Sequence, residues 1–165
     1  MKESSVLAIV RREDPRSLDA SLLLDEVSAM VALYSGDGAQ TRFRVEEATS
    51  PRGAFVVART AKGEAMGCGA VRRFSFEVAE LKRIYRRPEW PGAGSAILHY
   101  LERIAVTLGF RCVVLQTRAA NRRSIAFYGR HGYRSIEPYG EYVRMGDARC
   151  FSKALPLVTQ TQSGT

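Results

Sequence analysis

Three groups in this chain have the types and spacing to do chemistry: a carboxylate, a tyrosine and a glycine turn. Glu80 lies in the run EVAELKRIYRR, where strand alternation would put Phe76, Val78 and Ile84 on its own face. A carboxylate desolvated by such neighbours holds its proton more tightly and becomes a useful general base. The structural alternative is a salt bridge to Lys82 or to an arginine. Asn121, Ser124 and Tyr128 stand at i, i+3 and i+7, so a helix would project them from one side. A tyrosine so placed is either packing or a proton donor. Gly92 and Gly94, in PGAGSA, precede a helical stripe. A glycine turn opening a helix leaves its first N–H groups unpaired, with the positive end of the dipole behind them, which suits a phosphate.

The elements that must hold these groups can be read in order. Ile97, Leu101, Ile104, Ala105 and Leu108 form an apolar stripe of helical period, and Gly109 follows as the left-handed terminator. Upstream, the periodicity predicts a strand over Val6 to Arg11, a helix opened by Pro15 and Asp19, a loop, and a weak helical stretch from Phe43 to Ala48. Strands AFVVART, EAMGCGAVRRF and Glu77 to Arg86 follow with short connections, so they should pair as an antiparallel meander. Gly67 and Gly69 predict a bulge or a close backbone approach. After the helix, Cys112 to Leu115 is apolar on both faces, as a covered parallel strand would be. Asn121 can cap the next helix, and two short strands end the core. Residues 1–155 read as one domain and 156–165 as a frayed tail.

AELKRIYRRP with GAGSAILHYLERIAVTLGF, LQTRAANRRSIAFYGRHGYRSI, and YGEY with CFSKAL together resemble the GCN5-related N-acetyltransferases, the GNAT superfamily, in their small single-domain bacterial form. The resemblance implies an α/β (α+β) fold: a mixed, mostly antiparallel seven-stranded sheet that splays between its fourth and fifth strands, with helices on both faces. Acetyl-CoA would lie in the wedge and pass its acetyl group directly, in a ternary complex, to a primary amine of a small molecule or peptide. Glu80 would take the ammonium proton, directly or through water, and Tyr128 would protonate the departing thiolate. Asn121 and Ser124 would border the pantetheine arm, and backbone groups of Ile84, Tyr85 and Arg86 would pair with its amides. The turn Gly92, Ala93, Gly94, Ser95 and Ala96 would hold the diphosphate, with Trp90 as its lid. The family sets a Gln or Arg before that turn, and Glu89 or Pro91 stands there instead, depending on register. Arg86 or Arg87 is the replacement cation. Tyr34, Tyr139, Tyr142 and the segment from Ser35 to Arg44 would border the acceptor.

Composition limits the rivals. The net charge is +8, but its arginine pairs are scattered and no basic run of five occurs, so nucleic acid is a poor partner. An RNA-binding reading would rest on Arg73-Phe74-Ser75-Phe76, and a CoA-sensing module without turnover would keep the same site. A dinucleotide-binding oxidoreductase needs a third glycine where Ile97 stands. Cys68, Cys112 and Cys150 are odd in number and far apart, which predicts free thiols, no metal site and a reducing, cytoplasmic setting. No stretch approaches membrane-spanning length. A homodimer is compatible with all of this.

Overall fold

A computed structural model describes residues 6–35 and 44–157. The elements run β1 (Ile9–Arg12), α1 (Leu18–Ser35), α2 (Val45–Thr49), β2 (Ala54–Arg59), β3 (Ala65–Arg73), β4 (Val78–Arg86), α3 (Ala93–Thr107), β5 (Cys112–Arg118), α4 (Arg122–Arg130), β6 (Arg134–Ile136), a 3-10 turn (Gly140–Arg144) and β7 (Ala148–Ala154). The strands form one seven-stranded sheet in the order β1-β2-β3-β4-β5-β7-β6. β1 begins three residues later than the apolar run predicts.

Short connections make β2, β3 and β4 an antiparallel meander. The α3 crossover then returns the chain so that β5 lies parallel to β4, as a helix-length connection requires. That parallel pairing is brief: Val78, Ala79 and Glu80 face Cys112, Val113 and Val114, and no rung follows. From Leu81 onward β4 leaves β5, while β5 stays paired with β7 along its whole length. The sheet therefore splits between its fourth and fifth strands.

Each face carries its own core. α3 lays Ile97, Leu98, Leu101, Ile104 and Ala105 on Val56, Val71, Ala79, Leu81 and Val113. On the other face, Ala20 and Leu23 of α1 and Ala48 of α2 cover Phe55, Val57, Cys68 and Ala70. Two close approaches make this possible. A Cβ on Gly69 would stand 2.8 Å from both Ile97 Cγ2 and Leu101 Cδ1, and one on Gly67 would stand 2.2 Å from the Tyr85 carbonyl oxygen. Both positions thus need glycine to let α3 and β4 come near.

The meander also carries a β-bulge. Between Ala70 opposite Lys82 and Cys68 opposite Tyr85, β3 advances two residues and β4 three. The extra residue is Arg83, at φ 60°, a left-handed conformation that costs a non-glycine residue roughly 1–2 kcal/mol. A bulge reverses the side-chain parity after it. Leu81 and Ile84 consequently both pack with α3. Ile84 therefore lies opposite Glu80, not beside it as simple alternation predicts. Phe76 is also no neighbour of Glu80: it sits in the hairpin turn, with the Arg52 guanidinium 5.2 Å above its ring.

Candidate active site

Where β4 and β5 part, a cavity of about 1020 Å³ opens, at the upper end of the roughly 300–1,000 Å³ usual for ligand sites. One wall is β4 from Glu80 to Arg86, and the other is Leu115 to Arg118 of β5. α4 closes one end with Asn121, Ser124, Phe127 and Tyr128, and α1 contributes Val27, Met30, Val31 and Tyr34. Glu80 and Tyr128, 48 residues apart in the sequence, thus line one space.

Glu80 is 1% exposed and is held at both oxygens. Arg72 is its direct cross-strand partner, so their side chains share a face. Arg72 Nε donates to Glu80 Oε1 at 2.6 Å, and the Tyr139 hydroxyl donates to Glu80 Oε2 at 2.6 Å. Lys82 Nζ is 3.9 Å from Oε1. The purely apolar setting expected around Glu80 is therefore absent, and a counter-ion accompanies its burial. Beside Arg72 lies a second acid, Glu47 of α2, with Oε2 at 3.4 Å from Arg72 Nε. That oxygen is buried and has no hydrogen bond.

Tyr128 is buried among Phe127, Tyr133 and Phe151, with ring centroids 5.3, 5.6 and 6.3 Å away. Burial alone pushes its phenol well above the usual tyrosine range, so it keeps its proton at any physiological pH. Asn121 caps α4 by accepting the Ser124 N–H at 3.2 Å. A cap uses only the oxygen, which leaves the carboxamide NH₂ as the donor end.

The glycine turn sits beside this cavity and does not line it. Gly92, at φ 93°, forms the N-cap of α3. Within the turn, the Ala93 amide donates to Trp90 O and the Ala96 amide to Gly92 O, both at 3.3 Å. Gly94 and Ser95 supply the amides that the first helical turn sets free. A methyl at Gly94 would lie 3.7 Å from the Phe127 ring and 4.0 Å from Arg86 Cδ, so the turn, the arginine and the cavity end are contiguous. Ser95 Oγ is hydrogen-bonded to His131 Nε2 at 2.9 Å.

The two candidate cations separate. Arg86 lines the cavity and donates to the Arg87 and Pro88 carbonyls. Arg87 points the other way, gripping Glu26 of α1 through Nε at 3.0 Å and Nη2 at 2.8 Å. It ties α1 to the end of β4, and its residue does not line the cavity. Tyr85 joins that tie, its hydroxyl donating to Glu26 Oε1 at 3.0 Å, so the Tyr85 side chain is structural even though its residue borders the cavity. Trp90 is partly buried and packs on the α3 core cluster.

Of the acceptor-side tyrosines, Tyr34 and Tyr142 line the cavity, whereas Tyr139 lies behind Glu80 as its hydrogen-bond donor. The segment beginning at Ser35 falls mostly outside the described residues, as does most of 156–165. Arg123, of the Arg122/Arg123 pair whose place at the start of α4 suits a polyphosphate, lines the cavity, and the lining residues missed in the sequence include Arg118, Arg130 and Met145. Arg118 and Met145 gave no signal, because only the fold brings β5 and the 3-10 turn to this wedge. All three cysteines are free, and burial pushes the Cys68 thiol up to about 12. Among the described residues no helix is long and apolar enough to cross a membrane.

Comparison with known proteins agrees with this arrangement. An uncharacterized N-acetyltransferase of Schizosaccharomyces pombe is 36% identical over 92 residues, 54% of this chain and only 56% of that relative's length. A solved acetyltransferase of the GNAT family from Staphylococcus aureus superposes with a TM-score of 0.72 at 15% identity, covering 91% of this chain and 100% of that one. A Klebsiella pneumoniae protein provisionally assigned as an acyl-CoA N-acyltransferase gives 0.72 at 21% identity, over 90% and 98%. At these identities the structures speak for the fold. Residues 24–133 match the acetyltransferase (GNAT) family, and with two thirds of its length so matched, the chain belongs to that family.

Proposed function

We propose that the protein transfers an acetyl group from acetyl-CoA directly to a primary amine, of a small molecule or a peptide, within a ternary complex. The observation that carries this reading is the placement of Glu80 and Tyr128 on one cavity at the split of the sheet. Past Glu80 no rung of β5 covers β4, and there Ile84, Tyr85 and Arg86 offer backbone groups to an extended pantetheine arm, as an added strand would take them. Gly94 and Ser95 at the N-terminus of α3 face the diphosphate. Arg86 supplies the cation that Glu89 and Pro91 cannot.

The residues divide the work as follows. An ammonium must lose one proton before attack and a second on becoming an amide. Glu80 receives the first, directly or through a water, since each of its oxygens accepts one hydrogen bond and keeps a lone pair for the proton. The amine nitrogen then bonds to the thioester carbonyl carbon, the C–S bond breaks, and Tyr128 donates to the departing sulfur. Free thiols titrate near about 8.5, below a buried tyrosine, so Tyr128 gives up its proton only as charge builds on sulfur. The overall reaction releases one proton, with Tyr128 recharged from the second nitrogen proton. The reducing cytoplasm suits three free thiols.

Two assays test the reading. Calorimetric titration with acetyl-CoA should show binding, and a generic RNA should not bind. Thiol release should then appear with members of a primary-amine panel. Binding without release from any amine would make the chain a CoA sensor, and RNA binding without acetyl-CoA binding would overturn the reading. Arg86→Ala should weaken acetyl-CoA about tenfold, the loss of one charge-assisted contact. Arg87→Ala should leave that affinity nearly unchanged and lower the denaturation midpoint instead.

A further inference from the structure

We propose that Glu47 is a positioning residue that raises the proton affinity of Glu80 by acting as a reserve counter-ion for Arg72; this rests on Glu80 being the proton acceptor. The geometry is a row: Glu47 Oε2, Arg72 Nε, Glu80 Oε1, with 3.4 Å on one side and 2.6 Å on the other. Arg72 Nε carries a single hydrogen, and the shorter contact commits it to Glu80. Glu47 Oε2 is left buried with no donor. Buried carboxylate oxygens seldom stay unpaired, and such a group calls for an explanation.

The explanation lies in the other protonation state. When Glu80 takes a proton it becomes neutral, and Arg72 loses the charge it was paired with. A half-buried guanidinium stripped of its partner is costly. With Glu47 in place, Arg72 turns its Nε–H to Glu47 Oε2, less than an ångström beyond hydrogen-bond contact. The protonated state of Glu80 then leaves no orphan, and the oxygen that is unsatisfied in the resting state becomes satisfied. The like charge of Glu47 acts in the same direction, since a second carboxylate nearby disfavours ionisation of the first. The proton moves from the ammonium to a Glu80 oxygen; no other bond changes.

Every group around Glu80 has a stated place in this scheme. Arg72 from β3 and Lys82 from β4 favour its ionised form. Glu47 from α2 opposes it. Tyr139 and Tyr142, from the segment before β7, stay neutral, each pushed far above the ordinary tyrosine range with burial the largest cause. Cys150 of β7 is likewise pushed up by burial and stays a thiol.

The test is an infrared pH titration of the full chain without ligand, following the protonated-carboxyl band that Glu80→Gln abolishes. Glu47→Gln should move its midpoint down by about one unit, and the charge-keeping Glu47→Asp should restore most of the shift. A thermal melt of each variant shows that it is folded. An unmoved midpoint in folded Glu47→Gln overturns the proposal. So does a spectrum in which Glu80→Gln removes no band, because Glu80 then takes up no proton at all. These outcomes are separate from the assigned reaction, which stands or falls on thiol release.

Discussion

Among the described residues the Tyr128 hydroxyl has no hydrogen-bond partner, and its ring meets other rings on three sides, so removing the hydroxyl changes polarity without changing shape. Tyr128→Phe should therefore lower kcat by about a hundredfold, the lower end of what general acids contribute, and leave the calorimetric Kd for acetyl-CoA within about twofold of wild type. Equal losses in both would remove the proton-donor role. The tyrosines also set an alkaline limit on the fold. Tyr85 is raised from 10.0 to about 12, with burial the first cause and its bond to Glu26 the second, and Tyr128, Tyr133, Tyr139 and Tyr142 are raised further. Because the folded values lie above the unfolded one, their contribution to stability is complete below about pH 10 and is lost as pH rises through and beyond about 12. Urea midpoints should be flat from neutrality to about pH 8.5, where the buried Cys68 thiol begins to lose its contribution, and fall more steeply above about pH 10. A decline beginning near neutrality would contradict that origin. Much of this chemistry was legible in the sequence: Asn121, Ser124 and Tyr128 show their common face by spacing alone. The partners of Glu80 were not, because Arg72 meets it only across the β3–β4 register and Tyr139 comes from 59 residues away. Register and long-range return are tertiary facts that local pattern does not carry.

At the scale of elements, the meander and α3 were readable because period and turn chemistry agreed along them. The two glycines of β3 announced a close approach, and the structure shows what approaches. Their substitutions should differ in degree. At Gly69 the obstacles are side-chain tips, so Gly69→Ala should cost about 1–3 kcal/mol by overpacking in urea unfolding. At Gly67 the obstacle is the β4 backbone 2.2 Å away, which cannot step aside, and Gly67→Ala should destabilise more. The reverse order would mean that α3, not β4, is the rigid neighbour. The bulge at Arg83 breaks the simple alternation, in a strand where the family resemblance implies one. Nothing in LKRIY marks the extra residue, because arginine is an uncommon choice for a left-handed position. One residue of slip puts Ile84 into the α3 core and frees the Glu80 face for polar partners.

For the whole molecule, the decisive feature is how few rungs join β4 to β5. Anything that binds across the split adds hydrogen bonds to the folded state alone. Acetyl-CoA at a hundred times its Kd should therefore stabilise the chain by about 2.7 kcal/mol, read as a rise in melting temperature that grows with ligand concentration. A melting temperature indifferent to acetyl-CoA would place its binding elsewhere or nowhere. Dissection should show Glu26→Gln lowering stability without removing that response, since the Glu26–Arg87 tie holds α1 rather than the wedge.

The same split gives the molecule an unusual exposure. Ordinary sheets have bare edges only at their ends, where short strands and charged residues discourage other chains from adding on. This sheet also has an edge in its middle that β5 does not cover, beyond the Glu80 rung of β4. Lys82, Arg83 and Arg86 line that gap, so a second copy of a chain already bearing +8 meets like charge there. In the proposed reaction the same charge would draw in a polyanionic cosubstrate. The cations that would keep foreign strands out of the gap are thus the ones that would admit the molecule proposed to fill it.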